Sequence, residues 1–519
     1  MPNRPPIADI RAKAKDFYGQ FLLCLDPPDI PEGWAAHRQS RWHLLSHPSL
    51  PVIPLLAPDG SPSGFALGHP IGPDGRVAPG PLRLPHHPVA KDPSQDDIER
   101  WIYTFGGRYA FILLTDATQR AYLDPGGTLS AVWCPARRRL ASTPSLLLLD
   151  EPDHPIFRIR RGDFPLTKPL QFFPAGLTAA DGVTRLLANH YLDLRDWHAV
   201  RHYPSAPYEY VPESQIPDQI AAFHAIVRRQ IGAAIEHCGG AYLALTAGED
   251  SRRILACARD FIDRIECITL ARARHDSRVA SEIDVLVPTR LAKKVGFRHR
   301  VLTMGVSDRN RLADYVLRIG YSGGPGKAPK FSDPFIGHLD MSRALFTGHC
   351  GHMAKAKYAD QLPGMAMPTP KSILKDVHLS PRPEFAEAVD RWLAGLPEGS
   401  PAFYRDMSLL EVGVSGWVAT HFYGFAPFRM LLSPFCHRDA IDAMFRLPPQ
   451  FRTGGNVARA VLELAWPELL CLPFNECTGF KRLEHRARRW LRRTTKTALS
   501  RLRKARDKKS TSPHRGRSV

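Results

Sequence analysis

From Pro212 onward the apolar residues switch repeatedly between two periods, and this alternation limits the fold more than any other feature of the chain. "IPDQIAAFHAIVRRQIGAAIEHC" spaces its apolar residues for a helix, and "AYLALTAG" reads as a short buried strand. "DSRRILACARD" is helical, "IECITLA" a strand, "DVLVPTRLAKKVGF" helical again, and "HRVLTM" a further strand. Strands without a polar face, set between amphipathic helices, predict a parallel sheet covered by helices on both faces. Beyond about Pro381 the pattern is mostly helical, as in "PEFAEAVDRWLAGL" and "NVARAVLELAWPELL".

The first 200 residues have a different texture. Residues 51–100 hold 11 prolines and 6 glycines, a composition that predicts an irregular covering segment or a mobile insert. From Trp101, "IYTFGGRYAFILLTD", "RAYLDPGGTLSAVWC" and "RRRLASTPSLLLLD" read as short strands joined by turns. A chain of 519 residues is long for one core. The expected division is a β-rich unit over 1–205, an α/β unit over 212–480 and a tail over 481–519.

The net charge of +19 points to nucleic acid until it is localised. Residues 481–519 carry 16 Lys/Arg against 2 Asp/Glu, a net of +14, which leaves +5 for the other 480 residues. The basic signal belongs to the tail, so no specific nucleic-acid partner is expected of the folded body. Within the tail, Leu483, Ala487, Trp490, Leu491, Ala498 and Leu502 fall near one helical face among Arg and Lys. Three readings stay open for it: an anionic membrane contact, non-specific phosphate binding, and a solvated tail. The nine cysteines form no CxxC pair, which fits a reducing compartment. The N-terminus lacks the apolar stretch of a secretory signal, and no run is apolar enough to span a membrane. The expected location is the cytoplasm, with the tail offering peripheral contact at the inner face of the membrane.

The turn between "AYLAL" and "RRILA" reads Thr246-Ala247-Gly248-Glu249-Asp250-Ser251. In an open parallel sheet, ligands bind at the C-terminal ends of the strands. Gly248 allows close backbone approach, Ser251 and the first helical amides donate to an anion, and Asp250 is a hard ligand for Mg²⁺. Asp and Ser are also ordinary residues at a helix start, so a plain capped helix explains the same letters. Arg252, next along, reads either as a phosphate contact or as part of a solvated helix face.

Beyond the turn, "DVLVPTRLAKKVGFRHRVL", "LFTGHCGHMAKAKY" and "PFCHRDAIDAMFRLPPQFRTGG" extend a pattern. Together with the turn, these stretches resemble the asparagine synthetase family and related ATP pyrophosphatases, whose loop reads Ser-Gly-Gly-x-Asp-Ser. Gly248, Asp250 and Ser251 match that loop, while Thr246 replaces Ser and Ala247 replaces the first Gly. Asp284, Leu291, Ala292, Gly296 and His299 fall in step with the family's next helix-strand segment. Upstream, "FGGRYAFILLTDATQRAYLDPGG" and "NHYLDL" look like remnants of its glutaminase domain. The resemblance implies a β-rich, Ntn-hydrolase-like N-terminal domain. It further implies a Rossmann-like α/β/α synthetase domain of the adenine nucleotide alpha hydrolase type, followed by a helical C-terminal part.

By the same resemblance the chain would use ATP and Mg²⁺ to adenylate a carboxylate, from which an amine displaces AMP. Thr246, Gly248, Asp250, Ser251 and Arg252 would hold the phosphates, with Asp250 as metal ligand, and Thr269 and Leu270 would contact adenine. Gly348, Gly351 and His352 would belong to a second phosphate-side loop. Arg459 aligns with the family's late Lys, which stabilises developing charge, and Glu463 with its Arg. Departures are equally specific. Pro2 stands where family glutaminases carry their Cys, so ammonia or another amine is the expected nucleophile. His352 and Met353 stand where two acids are expected, and His is a poor Mg²⁺ ligand. The His349-Cys350-x-His352 cluster leaves zinc, a phosphate-contacting loop and a plain turn open. The alternative to a ligase is a catalytically degenerate nucleotide-binding or accessory protein of the same fold. It binds a nucleotide or a partner protein without turning over and can sit at a membrane surface through its tail.

Overall fold

The computed structural model describes residues 10–88, 94–147, 149–150, 172–271, 279–304, 309–323, 334–356, 358–362 and 364–476. The basic tail at 481–519 therefore lies outside the described residues.

Among the described residues, thirteen strands precede residue 202. They are β1 (Phe21–Cys24), β2 (Ala35–Gln39), β3 (Trp42–Ser46), β4 (Val52–Leu56), β5 (Pro62–Ile71), β6 (Leu82–Arg83) and β7 (Gly106–Leu114). After these come β8 (Gln119–Leu123), β9 (Val132–Cys134), β10 (Arg139–Ala141), β11 (Thr184–Arg185), β12 (His190–Asp193) and β13 (His198–Arg201). One sheet runs β11-β9-β10-β1-β3-β2, the other β13-β12-β8-β7-β5-β4-β6. Phe21, Leu23, Trp42 and Leu44 of the first share a buried cluster with Phe65, Leu67, Ala110 and Ile112 of the second, so the sheets pack face to face.

The proline-rich segment departs from expectation. Instead of an irregular insert it contributes β4 and the ten-residue β5, which is interior to its sheet. The prolines sit where a missing N–H costs little. Pro62 opens β5, and Pro54 is exposed on β4 at a point where the short β6 does not pair, since β6 meets only Leu55 and Leu56. Composition counted the prolines, but their positions decide whether a strand forms.

The second half follows the alternation read from its periodicity. Strands β14 (Ala241–Ala244), β15 (Ile265–Ala271), β16 (His299–Thr303), β17 (Ala344–Phe346) and β18 (Met430–Leu432) are all parallel, in the order β16-β15-β14-β17-β18. Helices Ile216–Cys238, Glu249–Cys257 and Val279–Val295 fall on the stretches with helical spacing. The sequence order grows outward from β14 to β16 on one side and continues to β17 and β18 on the other. The strand order therefore reverses between β14 and β17, the place where open α/β sheets bind ligands. A buried network joins the two halves: Glu411 accepts hydrogen bonds from Arg201 (2.7 and 2.6 Å), Asn189 (2.8 Å) and Trp392 (2.7 Å). Among the described residues, no helix is long and apolar enough to cross a membrane.

Candidate functional site

The turn after β14 and the turn after β17 meet at that reversal. Gly248 caps helix Glu249–Cys257 in extended conformation, so Asp250 and Ser251 fall in its first turn. The Thr246 amide donates to Ser251 Oγ (3.1 Å), the Gly248 amide to Thr246 Oγ1 (3.2 Å), and the Ala247 amide to Asp284 Oδ1 (3.2 Å). Side chains thus pre-shape the turn, and Asp284 does so from a helix 37 positions away. The amides of Glu249, Asp250 and Ser251 start the helix, where no preceding turn supplies acceptors, and the helix dipole there favours an anion.

The second turn lies directly on Asp250. A Cβ on Gly348 would lie 3.1 Å from Asp250 Cβ, and one on Gly351 would lie 2.9 Å from the same atom and 2.8 Å from the Phe435 ring. Both glycines are there because Asp250 occupies the space a side chain would need. Behind the second turn, fully buried Arg452 donates to the Met353 carbonyl (3.1 Å), to Asp406 (2.6 Å) and to Tyr358 Oη (2.9 Å). That brace fixes the second turn at Met353.

Asp250 is paired with two cations. Arg253 Nη2 donates to its Oδ1 at 2.6 Å and also to the Gly351 carbonyl, while Lys355 Nζ reaches the carboxylate at 2.9 Å. Burial pushes the Asp250 carboxyl up, but the charges of Arg253 and Lys355 outweigh it and hold the group below the usual carboxylate range. Glu249 lies 3.7 Å from the same Lys355. The resemblance placed Mg²⁺ on Asp250, and the donor set does not fit that ion. Both carboxylate oxygens face protein cations, and no three His, Cys, Asp or Glu groups converge among the described residues. His349 turns from any metal role toward an aromatic nest, edge-on to Phe422 at 5.2 Å and Trp417 at 6.1 Å, with Nδ1 on Thr347 Oγ1 (3.0 Å). His352 is half-buried in a short 3-10 turn, Gly351–Ala354, that leads into Lys355.

Other residues singled out from sequence are placed differently from one another. Thr269, on β15 beside β14, is buried and bonds the Leu245 carbonyl (2.7 Å) and His299 Nε2 (2.9 Å), with Leu270 half-buried beyond it. Arg252 is neither a solvated residue nor a phosphate contact. It is fully buried, with its guanidinium on the carbonyls of Leu472 (2.6 Å) and Pro473 (2.8 Å) and over the Phe474 ring at 4.9 Å. The segment it clamps continues to Asn475, whose amide donates to the Ala247 carbonyl at 2.9 Å. Arg459 is exposed one turn into helix Asn456–Ala465, whose cap, Gly455, would place a Cβ 3.5 Å from Glu249 Oε1. The helix start reaches the site, but the Arg459 side chain is not packed into it.

Lys355, Arg253, Asp284 and Arg452 are the residues whose roles sequence reading missed. Asp284 and Arg452 did fall in step with the family pattern, as the D opening one segment and the R closing "LPPQFR". Lys355 carried no signal, because its partner lies 105 residues away.

No protein-family model and no curated protein sequence matches this chain. Among solved structures it is similar to the glutamine-dependent NAD+ synthetase from Acinetobacter baumannii in complex with adenosine diphosphate, at 15% identity and a TM-score of 0.17. That match covers 47% of this chain and 56% of the other, so this chain spans little more than half the length of that structure. A likeness of that size carries no functional argument, and the reading of the site rests on its own geometry.

Proposed function

We propose that the chain is an ATP-dependent carbon–nitrogen ligase that activates a carboxylate and joins it to ammonia or another amine. One observation carries the reading: two glycine turns, about 100 residues apart in sequence, close on one carboxylate at the reversal point of a parallel sheet. In this reading the start of helix Glu249–Cys257 holds the β- and γ-phosphates, and Thr246, Gly248 and Ser251 keep the turn in shape. Thr269 and Leu270 wall the adenine side. The carboxylate oxygen attacks the α-phosphorus, pyrophosphate leaves, and the amine nitrogen then attacks the acyl carbon and expels AMP. Charge builds on the departing pyrophosphate, and Lys355 is the cation placed to follow it. Arg459 supplies charge only if its helix moves closer. Magnesium enters with the nucleotide, and no step is assigned to it. The units at 1–205 and 212–480 are part of this proposal, the first shaping access to the second rather than hydrolysing glutamine.

A second reading, a nucleotide-binding protein that does not turn over, is favoured by a specific observation. The Asp250 oxygens and the amides of Thr246, Ala247 and Gly248 are already satisfied within the protein. Calorimetry with ATP and a pyrophosphate-release assay across carboxylate and amine panels separate the two. A ligase binds ATP and releases pyrophosphate, and Asp250→Ala abolishes release. Binding without release for every pair supports the second reading. No ATP binding by the wild-type chain sinks both.

A further inference from the structure

Turns between strands ordinarily lie at the surface, where water meets their backbone groups. The connection from β8 to β9 opens with one that does not: Asp124-Pro125-Gly126-Gly127-Thr128 is buried throughout. Its polar groups are met inside the protein instead. Asp124, fully buried, accepts from the amides of Gly126 (3.1 Å), Thr128 (2.8 Å) and Leu129 (2.8 Å), and from the Thr128 hydroxyl (2.9 Å). Carboxylate and glycines thus form a knuckle whose shape is set by its own hydrogen bonds.

This knuckle of the β-rich half bears on the second turn of the candidate site. A Cβ on Gly126 would lie 3.1 Å from Cys436 Sγ and from Thr128 Cγ2 and 3.4 Å from Cys350 Sγ, and one on Gly127 would lie 2.9 Å from Ser415 Oγ. Cys350 is part of the second turn, next to Gly351, and Cys436 follows Phe435, whose ring lies against Gly351. The Cys436 thiol donates to Asp124 Oδ1 at 3.0 Å. Burial, the Cys350 thiol and the Asp124 charge push Cys436 well above its ordinary range, so it keeps the proton it donates. Cys350 itself is held left-handed, with φ of 67°, a conformation that a residue with a side chain keeps only where its surroundings enforce it. Its buried sulfur, packed against Gly126, is such a restraint.

We propose that the Asp124–Thr128 turn is a positioning element of the candidate nucleotide site, fixing the second turn through Cys350 and Cys436. The proposal rests on the nucleotide reading and gives the β-rich half a task in it other than glutamine hydrolysis. The path is short. Gly351, next to Cys350, lies against Asp250 and gives its carbonyl to Arg253, and the same turn leads into Lys355. Pushing Cys350 aside by a few tenths of an ångström therefore shifts the Gly351 carbonyl and Lys355 against Asp250. Thr269 and Leu270 sit on β15, separated by β14 from β17 and the second turn, so the effect falls on the phosphates and spares the base.

The test uses the full chain and calorimetry with ATP in magnesium buffer and, separately, with adenosine. Gly126→Ala sets a methyl against both sulfurs and should weaken ATP about tenfold or more, with adenosine within about twofold of wild type. Cys436→Ala cannot clash; it removes the thiol tied to Asp124 and should weaken ATP about threefold, again sparing adenosine. In the double variant the methyl gains room, and ATP affinity should return to within about twofold of Cys436→Ala. General damage to the fold would weaken both ligands alike and would not be relieved by a second truncation. Unchanged ATP affinity in Cys436→Ala and in folded Gly126→Ala overturns the proposal. Equal loss of ATP and adenosine does so too, as does a double variant no better than Gly126→Ala. If Gly126→Ala does not fold, Cys436→Ala alone decides, and wild-type ATP affinity in it is the refuting result. A wild type that binds no ATP refutes the nucleotide reading itself, whereas unchanged variants of an ATP-binding wild type refute only the positioning role.

Discussion

Asp250→Ala gives the sharpest test of how the two turns are held together. Arg253 is 1% exposed, and once Asp250 is removed its remaining acceptor is the Gly351 carbonyl, while Nε and Nη1 already lack partners among the described residues. Removing one partner of a buried ion pair costs about 3–5 kcal/mol. The side chains of Asp250 and Lys355 are 26% and 23% exposed, so water recovers part of that, and a loss of about 2–3 kcal/mol is expected. Arg253→Met keeps packing on the Phe435 ring, leaves Asp250 paired with Lys355, and should cost about 1 kcal/mol. The double variant should then be more stable than Asp250→Ala alone, with a coupling of about 2 kcal/mol. Urea unfolding at pH 7, followed by tryptophan fluorescence and circular dichroism, reads all four proteins. The Asp250 pKa is depressed in the folded protein, so its contribution is complete above the unfolded value of about 3.9 and is lost as pH falls through the lower folded value. The gap between wild type and Asp250→Ala should therefore stay constant from pH 8 to 5 and close below about pH 4. Single-variant losses that simply add to the double-variant loss, within about 0.5 kcal/mol, would refute the argument.

Gly351→Ala drives a methyl against Phe435 and Asp250 and should separate the turns, costing about 1–3 kcal/mol and at least tenfold in ATP affinity by calorimetry; wild-type affinity would show that the contact is dispensable. Arg252→Ala strands the Leu472 and Pro473 carbonyls, and limited proteolysis should cut near residue 472 several-fold faster than in wild type, an unchanged pattern counting against the clamp. For Glu411, burial raises the carboxyl but the Arg201 charge holds it lower, so it stabilises above the unfolded value of about 4.3 and this is lost as pH falls through the folded one. Glu411→Gln should flatten the stability profile over that acid range in urea melts, and parallel profiles would remove Glu411 as the cause.

Much of the second half was legible because helix and strand period are local properties. Ile216–Cys238 and Ile265–Ala271 fall where the apolar spacing put them, and the turn at 246–251 sits at the end of a buried strand as its letters implied. The first half was less legible: β5 needs a proline at its end and β4 one at an unpaired edge, which a count over 50 residues does not register. The neighbours of a charged residue were the hardest to read. Arg252 and Arg253 are adjacent and chemically identical, yet one clamps the C-terminal segment and the other pairs with Asp250.

By itself the sequence determined the alternation that makes a parallel sheet, the location of the turn after β14, and the confinement of the excess positive charge to residues 481–519. These follow from nearest neighbours along the chain and from the 3.6 and 2.0 periodicities. Only the tertiary structure decided that Lys355 and Arg253 bracket Asp250 and that Gly348 and Gly351 are small because Asp250 lies against them. The reason is physical. Ion pairing and close packing depend on which groups share a desolvated volume, and that volume exists only once residues far apart in the chain have been brought together.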